Sequence, residues 1–291
     1  MTWLRRMALL VVVLVSLSAC GSGHVYQAST VKIAMGYVPN VQFAPVCVAI
    51  EKGYFRDENL TVELDYGMET DILSLVGSGE LQFAIASGDQ VVLAGSRGLP
   101  VVYVFDWYSR FPSLTEKHEP RAIPEPKDLV GKTIGIPATF GASYVGWRAL
   151  LYAVGIPENQ ISLRSIGYTQ VAALTSKQVD AAVCYYMNEP VQLTQTGYEF
   201  NQIMVADYLN LPSNGIITNK RTIEEQPELV GRIARAFWRG LEYTLEHPEE
   251  AFSIAEKEVP EISQNRNAQQ AVLSAAIELW RTDELGMSDE G

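Results

Sequence analysis

Hydrophobic residues follow two alternating patterns along the first part of the chain. Short apolar or strictly alternating segments, typical of strands, are followed by segments in which apolar residues recur every three or four positions, as on one face of a helix. The strand patterns cover 31–37, 60–66, 81–87 and 100–109, and the helical patterns cover 43–55, 68–79 and 88–98. Repeated strand–helix alternation predicts parallel, doubly wound α/β sheets.

The segment 110–132 interrupts this alternation, because it carries four prolines and many charges. A second series of strand and helix patterns follows over 133–209. Beyond residue 220 the apolar spacing is helical throughout. Two series separated by a crossover predict two α/β lobes.

The amino terminus predicts export. Residues 1–19 have the pattern of a signal peptide, with two arginines before an apolar segment too short to cross a membrane. This segment ends in "LSAC", which resembles the lipobox of bacterial lipoproteins, so we expect lipidation at Cys20 and a flexible linker over 20–30. A plain secretory signal with a chance cysteine is the alternative. The prediction is a protein anchored by lipid on the extracytoplasmic face of the cell membrane.

The charge of the chain argues against nucleic acid as a partner. The formal net charge is −12, from 22 basic and 34 acidic residues. Removal of residues 1–19 takes away Arg5 and Arg6, which leaves 20 − 34 = −14. Nucleic-acid binding requires a basic surface, and a polybasic membrane patch is disfavoured for the same reason. We expect contact with the membrane through the lipid alone.

Cysteine and histidine usage predicts neither a metal site nor a catalytic triad. Cys47 and Cys184 lie in apolar segments and are expected to be buried thiols, with a disulfide as the alternative. The histidines are scattered, at His24, His118 and His247. We therefore expect no cofactor and no metal.

Four segments at or near the strand-to-helix junctions resemble a known family. They are "GYVPNVQFAPVCVAIEKGYF", "SGELQFAIASGDQVVLA", "DLVGKTIGIP…GASY" and "VDAAVCYYMNEP". The chain is similar to the solute-binding lipoproteins of bacterial ABC importers, in the branch that includes thiamine-pyrimidine and riboflavin binders. It resembles the sulfonate and nitrate binders more distantly.

The resemblance implies a type II periplasmic-binding-protein fold with two doubly wound α/β lobes joined by a two-segment hinge. Lobe one is expected over 31–112 and 215–291, and lobe two over 113–214. A small-molecule ligand would be trapped between the lobes as they close. It would then be delivered to an ABC transporter permease, so no enzyme activity is expected.

Candidate ligand-binding residues lie where strands lead into helices, because ligands of open α/β sheets bind at the carboxyl ends of strands. Amide side chains suit a neutral heterocycle, rings stack on flat ligands, and free N–H groups at a helix amino end suit ligand oxygens. In lobe one the candidates are Tyr37, Asn40, Gln42, Phe43, Ser87, Asp89, Trp107 and Tyr108. In lobe two they are Gly141, Ser143, Tyr144, Tyr185, Asn188 and Glu189.

Structural alternatives remain open for several of these residues. Asn40, Ser87 and Asp89 are also good helix-capping residues. Glu189 suits the first turn of a helix on electrostatic grounds alone. Trp107 and Tyr108 fit packing at the crossover as well as a cleft wall.

The ligand is predicted from what the junctions contain and lack. The chain reads "PNVQFAP" where thiamine-precursor binders typically have "PNTNHTG", so Gln42 and Phe43 replace an asparagine and a histidine. No arginine falls within the junction motifs, although Arg110 and Arg148 lie nearby, which disfavours an anion. The order of expectation is riboflavin, then a hydroxymethylpyrimidine-type thiamine precursor, then a sulfonate or nitrate.

Two further classes of function are weighed. A related fungal protein is an iron-dependent pyrimidine synthase, whose chemistry needs a histidine in this first motif and clustered cysteines. Phe43 stands in that position, so an enzyme is disfavoured. A lipid-anchored adhesion or sensor subunit on the same fold would bind the same solute and engage a different partner.

Overall fold

The computed structural model describes residues 29–108, 111, 113–117 and 125–281. The predicted signal peptide, the lipidation site Cys20 and most of the predicted linker lie outside the described residues. The last two residues assigned to that linker, Ser29 and Thr30, are the first two residues of a strand.

Ten strands are described, and their bounds are as follows: β1 Ser29–Met35, β2 Leu60–Tyr66, β3 Phe83–Ser87, β4 Val101–Asp106, β5 Ser113–Lys117, β6 Thr133–Ile136, β7 Ser162–Ser165, β8 Ala181–Tyr185, β9 Asn201–Met204 and β10 Asn214–Asn219. The described helices are α1 Ala44–Glu51, α2 Tyr54–Asp57, α3 Glu69–Ser78, α4 Gly88–Ser96, α5 Gly141–Val154, α6 Gln170–Thr175, α7 Glu189–Gln195, α8 Lys220–Glu225, α9 Pro227–Glu246, α10 Pro248–Glu258 and α11 Arg266–Trp280. Short 3-10 helices occur at Val41–Phe43, Pro126–Leu129, Glu158–Gln160, Val205–Asp207 and Pro260–Asn265.

The strands form two five-stranded sheets, ordered β2-β1-β3-β10-β4 and β7-β6-β8-β5-β9. We call the part of the chain around the first sheet lobe one and the part around the second sheet lobe two. Strand β10 belongs to the first sheet but follows all the strands of the second sheet in sequence, so the chain passes between the lobes twice. The predicted lobe boundaries themselves stay a prediction.

Each sheet contains one antiparallel strand, which corrects the expectation of parallel sheets. β10 runs antiparallel to β3 and β4, and β5 runs antiparallel to β8 and β9. These are the strands by which the chain enters each sheet from the other lobe. The parallel strands end at the edge of the sheet that faces the other lobe, so a chain arriving there must run away from that edge.

The predicted helix over 43–55 is two helices in the structure. α1 ends at Glu51, and Gly53 takes a left-handed conformation with φ of +79° before α2 begins. Glycine adopts this conformation at little cost, whereas a side chain would be strained. The break turns α2 against the long amphipathic helix α9, whose apolar face packs on lobe one.

Each lobe has a hydrophobic core, and the core of lobe one also includes Met187 from lobe two. The larger cluster joins β1, α1, α9 and α11 in lobe one, and a second cluster joins β6, β8 and α5 in lobe two. Cys47 and Cys184 are both buried and form no disulfide. None of the helices in the described ranges combines the length and apolar character needed to cross a bilayer.

Candidate ligand-binding cleft

A cleft of about 840 Å³, including open solvent at its mouth, lies between the two lobes. Its walls are the carboxyl ends of β1, β3 and β8 and the amino end of α5. Eight of the predicted residues line it: Tyr37, Gln42, Phe43, Gly141, Ser143, Tyr185, Asn188 and Glu189.

Asn40 positions the first junction from outside the cleft lining. Its side-chain oxygen accepts the backbone N–H of Gln42 at 3.0 Å, so it caps the 3-10 helix that carries Gln42 and Phe43. Its amide nitrogen also lies 3.4 Å from the side-chain oxygen of Asn188 in lobe two. Asn40 therefore acts as a helix cap, which is the structural alternative considered for it above. It also makes a contact between the lobes.

Tyr108 and Trp107 lie behind the cleft rather than on its surface. Trp107 is fully buried and packs against Phe43 and Trp280, with ring centroids 6.2 and 5.4 Å apart. The Tyr108 hydroxyl donates to the amide oxygen of Gln42 at 3.2 Å. Because that oxygen is engaged, the amide nitrogen of Gln42 is the group left for a ligand.

Ser87 and Asp89 also lie behind the cleft, at the start of α4. The Ser87 hydroxyl donates to Asp89, and the Gln90 side chain donates to the other carboxylate oxygen at 2.8 Å. Burial raises the pKa of Asp89, while these hydrogen bonds lower it. The backbone N–H of Ser87 donates to Glu69, a cleft-lining residue that the sequence did not single out.

Tyr144, the remaining predicted residue, does not line the cleft. It lies on α5, and its hydroxyl donates to Glu158 at 3.2 Å. Arg148 lies beside it, with its guanidinium Nε 3.6 Å from Glu158. The charge of Arg148 is therefore paired with Glu158 at an exposed position on the outside of lobe two.

The amino end of α5 is shaped by Gly141, which has φ of +78°. This left-handed conformation at the first residue of the helix favours glycine. Phe140, which precedes it, provides no side-chain cap and is half exposed at the cleft. The first N–H groups of α5 therefore need acceptors from elsewhere.

Glu189 closes the other end of the lobe-two wall, at the start of α7. Its carboxylate accepts the backbone N–H of Tyr185 at 3.0 Å and is only 7% exposed. Burial raises the pKa of Glu189 to about 7, although the backbone hydrogen bonds oppose the shift. Burial also raises the pKa of the neighbouring Tyr185 hydroxyl.

The cleft residues that escaped sequence reasoning include Glu69, Tyr168 and Gln170. Tyr168 meets Tyr37 edge to face across the cleft, with ring centroids 5.2 Å apart. Gln170 is 3% exposed, and its side-chain oxygen has no hydrogen-bond partner in the described structure. Glu69 follows strand β2, and Tyr168 and Gln170 follow β7, so all three also lie after strands. These two junctions were not selected from the sequence because other junctions contain more amide and aromatic side chains.

The cleft is rich in acceptors and lacks basic groups. Of the lining residues in the described part of the chain, none is Lys, Arg or His. Glu69 and Glu189 line it, and so does Gln170, whose buried side-chain oxygen has no hydrogen-bond partner in the described structure. Burial, and then the nearby Asp89, raise the pKa of Glu69 to about 8. Such a site suits an uncharged molecule that brings hydrogen-bond donors and a flat face.

Among the described residues, no group of three or more His, Cys, Asp or Glu side chains is placed to hold a metal ion. His247, the one histidine within the described ranges, lies at the end of α9, where its ring contacts that of Tyr243.

The chain is similar in sequence to proteins of a known family. Residues 40–251 match the protein-family model described as NMT1/THI5 like. The chain is 40% identical over 257 residues to the riboflavin-binding protein RibY of Chloroflexus aurantiacus, which covers 87% of this chain and 73% of that protein. It is 30% identical over 231 residues to the formylaminopyrimidine-binding protein of Halalkalibacterium halodurans, which covers 77% of this chain and 69% of that protein.

Solved structures support the fold class. The periplasmic aliphatic sulphonate binding protein SsuA from Escherichia coli matches with a TM-score of 0.70 at 13% identity, over 87% of this chain and 84% of that one. The expected periplasmic-binding-protein fold is thereby confirmed. The chain belongs to the NMT1/THI5-like family.

Proposed function

We propose that this protein captures riboflavin in the cleft between its lobes and delivers it to the permease of an ABC importer. The observation that carries the proposal is a cleft walled by aromatic rings and lined by acceptors, with no basic side chain among the lining residues of the described chain. The relative with 40% identity, named as a riboflavin-binding protein, supports the choice of ligand.

Riboflavin is complementary to this lining. Its ring system is flat and uncharged, and its ribityl chain and ring N–H bring hydrogen-bond donors. Phe43, Tyr37, Tyr168 and Tyr185 offer ring faces and edges, whereas Glu69, Glu189 and Gln170 offer acceptors. The amide nitrogen of Gln42 can donate to a ring oxygen or nitrogen.

A thiamine-pyrimidine precursor is the second candidate ligand. The relative with 30% identity is named a formylaminopyrimidine-binding protein, and an aminopyrimidine also brings N–H donors to carboxylates. A sulfonate or nitrate fits less well, because an anion would meet two carboxylates and no cationic side chain in this lining. We propose binding without catalysis, since the two relatives of higher identity described above are both named binding proteins.

We further propose that the protein acts outside the cytoplasm, attached to the membrane by lipid at Cys20. The support is the sequence of residues 1–20, with its short apolar segment and "LSAC". Mass spectrometry of membrane-extracted protein should show a chain that begins at a diacylated Cys20. An unmodified Cys20 would argue for secretion without an anchor.

Fluorescence titration tests the ligand. Purified protein should quench flavin fluorescence with a micromolar or lower Kd, and riboflavin should raise its melting temperature. If micromolar riboflavin caused neither quenching nor a rise in melting temperature, riboflavin would be ruled out as the ligand. A thermal-shift screen with aminopyrimidines and sulfonates would then identify the class of ligand.

A pair of variants tests the position of the site. Gln170→Met removes the unpaired acceptor at nearly constant volume, so it should weaken riboflavin binding by roughly tenfold. Gln178→Met makes the same chemical change at an exposed position outside the cleft and should leave affinity unchanged. Equal affinities for the two variants would place the ligand elsewhere.

A further inference from the structure

We propose that Glu69 takes the place of an anionic ligand at the amino end of helix α5 and thereby makes the cleft selective for uncharged ligands. This proposal rests on the cleft being the ligand site, and it names a residue that determines specificity there. Glu69 is the first residue of α3 in lobe one, whereas α5 lies in lobe two.

The Glu69 carboxylate reaches two helix amino ends at once. It accepts the backbone N–H of Ser87, where α4 begins, and it also lies beside the backbone N–H of Ala142 in the first turn of α5, which lines the same cleft. α5 spans 14 residues, and Phe140 before it provides no side-chain cap. The carboxylate that lies at the start of this helix therefore comes from the opposite lobe.

Free N–H groups at a helix amino end, together with the helix dipole, attract phosphates, sulfonates and carboxylates. Here Glu69 already provides the oxygen at that place. Ala142 and Glu69 both line the cleft, so a ligand in the cleft meets a helix end that is already occupied.

A second observation points to what the ligand must bring instead. The buried Gln170 side chain lines the same cleft with its oxygen unpaired, and burial without a partner is costly. That oxygen requires a donor from the ligand. An uncharged ligand with N–H or O–H groups meets this requirement, whereas a phosphate or sulfonate group does not.

The groups that face Glu69 reinforce the exclusion of anions. Asp89, behind the cleft, and the hydroxyls of Tyr168 and Tyr185 interact electrostatically with Glu69. Glu189 and Tyr37 line the same cleft, and all five groups are acidic or neutral. The pKa of Glu69, raised to about 8, means that the side chain gains negative charge as pH rises from 7 to 9. In either protonation state it keeps the α5 N–H group from a ligand.

The test compares riboflavin with riboflavin 5′-phosphate, which differ by one anionic group. The wild type should bind riboflavin at least tenfold more tightly. Glu69→Ala frees both N–H groups, so the preference should fall by about tenfold or more. Inorganic phosphate should raise the melting temperature of Glu69→Ala because it refills the site, but not that of the wild type.

Two matched variants separate position from charge. Glu69→Gln keeps an acceptor at the helix end and should gain no stabilisation from phosphate. Asp71→Ala removes a carboxylate from an exposed position on the same helix turn and should behave like the wild type. Between pH 7 and 9 the preference for riboflavin should rise more in the wild type than in Glu69→Gln, which provides a readout if Glu69→Ala does not fold.

An unchanged ligand preference in Glu69→Ala, with no response to phosphate, would overturn the proposal. If that variant does not fold, equal pH dependence in the wild type and Glu69→Gln would do so. Failure of the wild type to bind either flavin would instead contradict riboflavin as the ligand. In that case the phosphate response of Glu69→Ala still decides the role of Glu69.

Discussion

At the scale of single residues, the electrostatics of the cleft are set by carboxylates withdrawn from water. Glu69 and Glu189 each accept backbone N–H groups, which compensate part of the cost of burial. Burial nevertheless dominates and raises the pKa of both side chains. Both acids therefore titrate near neutral pH rather than near pH 4.

Glu189→Gln should make stability less dependent on pH. Burial raises the pKa of Glu189 to about 7 from its ordinary value of 4.5, so its contribution to stability is complete below pH 4.5 and is lost as pH rises through 7. At pH 8 the ionised group costs up to about 3 kcal/mol, which glutamine removes. The variant should melt higher than the wild type at pH 8 and at the same temperature at pH 4.5.

Glu225→Gln, at an exposed position at the end of α8, serves as the control and should follow the wild type at both pH values. If Glu189→Gln showed no advantage at pH 8, the carboxylate would have to be hydrated in the ligand-free protein.

Tyr108→Phe should weaken ligand binding although Tyr108 does not touch the cleft. Its hydroxyl holds the amide oxygen of Gln42, so its loss frees that amide to rotate and costs about 1 kcal/mol. We expect affinity for riboflavin to fall roughly fivefold, measured by fluorescence titration. Tyr103→Phe loses a hydroxyl that contacts Asp106 and Ser213 outside the cleft, so it should leave affinity unchanged. Wild-type affinity in Tyr108→Phe would mean that Gln42 does not need this partner.

At the scale of elements, helix amino ends converge on the cleft, and helix packing behind it holds the first junction in place. α9 crosses α1 at Gly240, where an added Cβ would lie 2.3 Å from the carbonyl oxygen of Pro45 and 2.9 Å from Cβ of Ala49. The two backbones can approach this closely only because position 240 has no side chain. α1 in turn follows directly on the 3-10 helix that carries Gln42 and Phe43.

Gly240→Ala should therefore destabilise lobe one. The added methyl group forces the two helices apart, with an expected loss of roughly 1–3 kcal/mol in the free energy of unfolding. Gly231→Ala lies in the same helix, where its Cβ would meet only the guanidinium of Arg235 at 3.1 Å. Because alanine favours helix and Arg235 can move, that variant should be neutral or more stable by up to about 1 kcal/mol. Urea denaturation measures both, and equal stabilities would contradict the close contact between α1 and α9.

At the scale of the whole molecule, the lobes meet behind the cleft, where α11 of lobe one packs against α7 of lobe two and Gln195 donates to the backbone oxygen of Asn267, and they also meet across it. Asn40 reaches Asn188, Glu69 reaches Ala142, and Tyr37 meets Tyr168 edge to face. The chain also passes between the lobes twice, into β5 and into β10. Two covalent connections between the lobes are the arrangement expected for closure by hinge motion.

Tyr168→Ala should speed the release of ligand. The ring contact with Tyr37 is worth about 0.5–1.5 kcal/mol to the closed form, so the dissociation rate should rise by roughly two- to tenfold. The association rate should change less, because encounter occurs with the lobes open. Stopped-flow fluorescence separates the two rates. Tyr152→Ala, at an 88% exposed tyrosine of α5, is the control, and equal dissociation rates in the two variants would argue against a role for Tyr168 in closure.

The sequence by itself determined the alternation of strands and helices, the fold class and the strand-to-helix junctions at which the cleft forms. These features depend on local periodicity and on residue types near each turn, which a single chain displays directly. β2 matches its predicted range of 60–66, and eight of the predicted site residues line the cleft.

Only the tertiary structure decided which junction side chains face the ligand. Trp107 and Tyr108 were expected on the cleft wall, but they pack behind it because the core of lobe one extends to α11. Glu69, Tyr168 and Gln170 reach the cleft because the second lobe lies opposite the first. The antiparallel direction of β5 and β10 has the same origin, since it follows from how the chain passes between lobes. Contacts between residues far apart in sequence produce no local pattern of hydrophobic and polar positions. The path between the lobes and the final lining of the cleft therefore depend on packing.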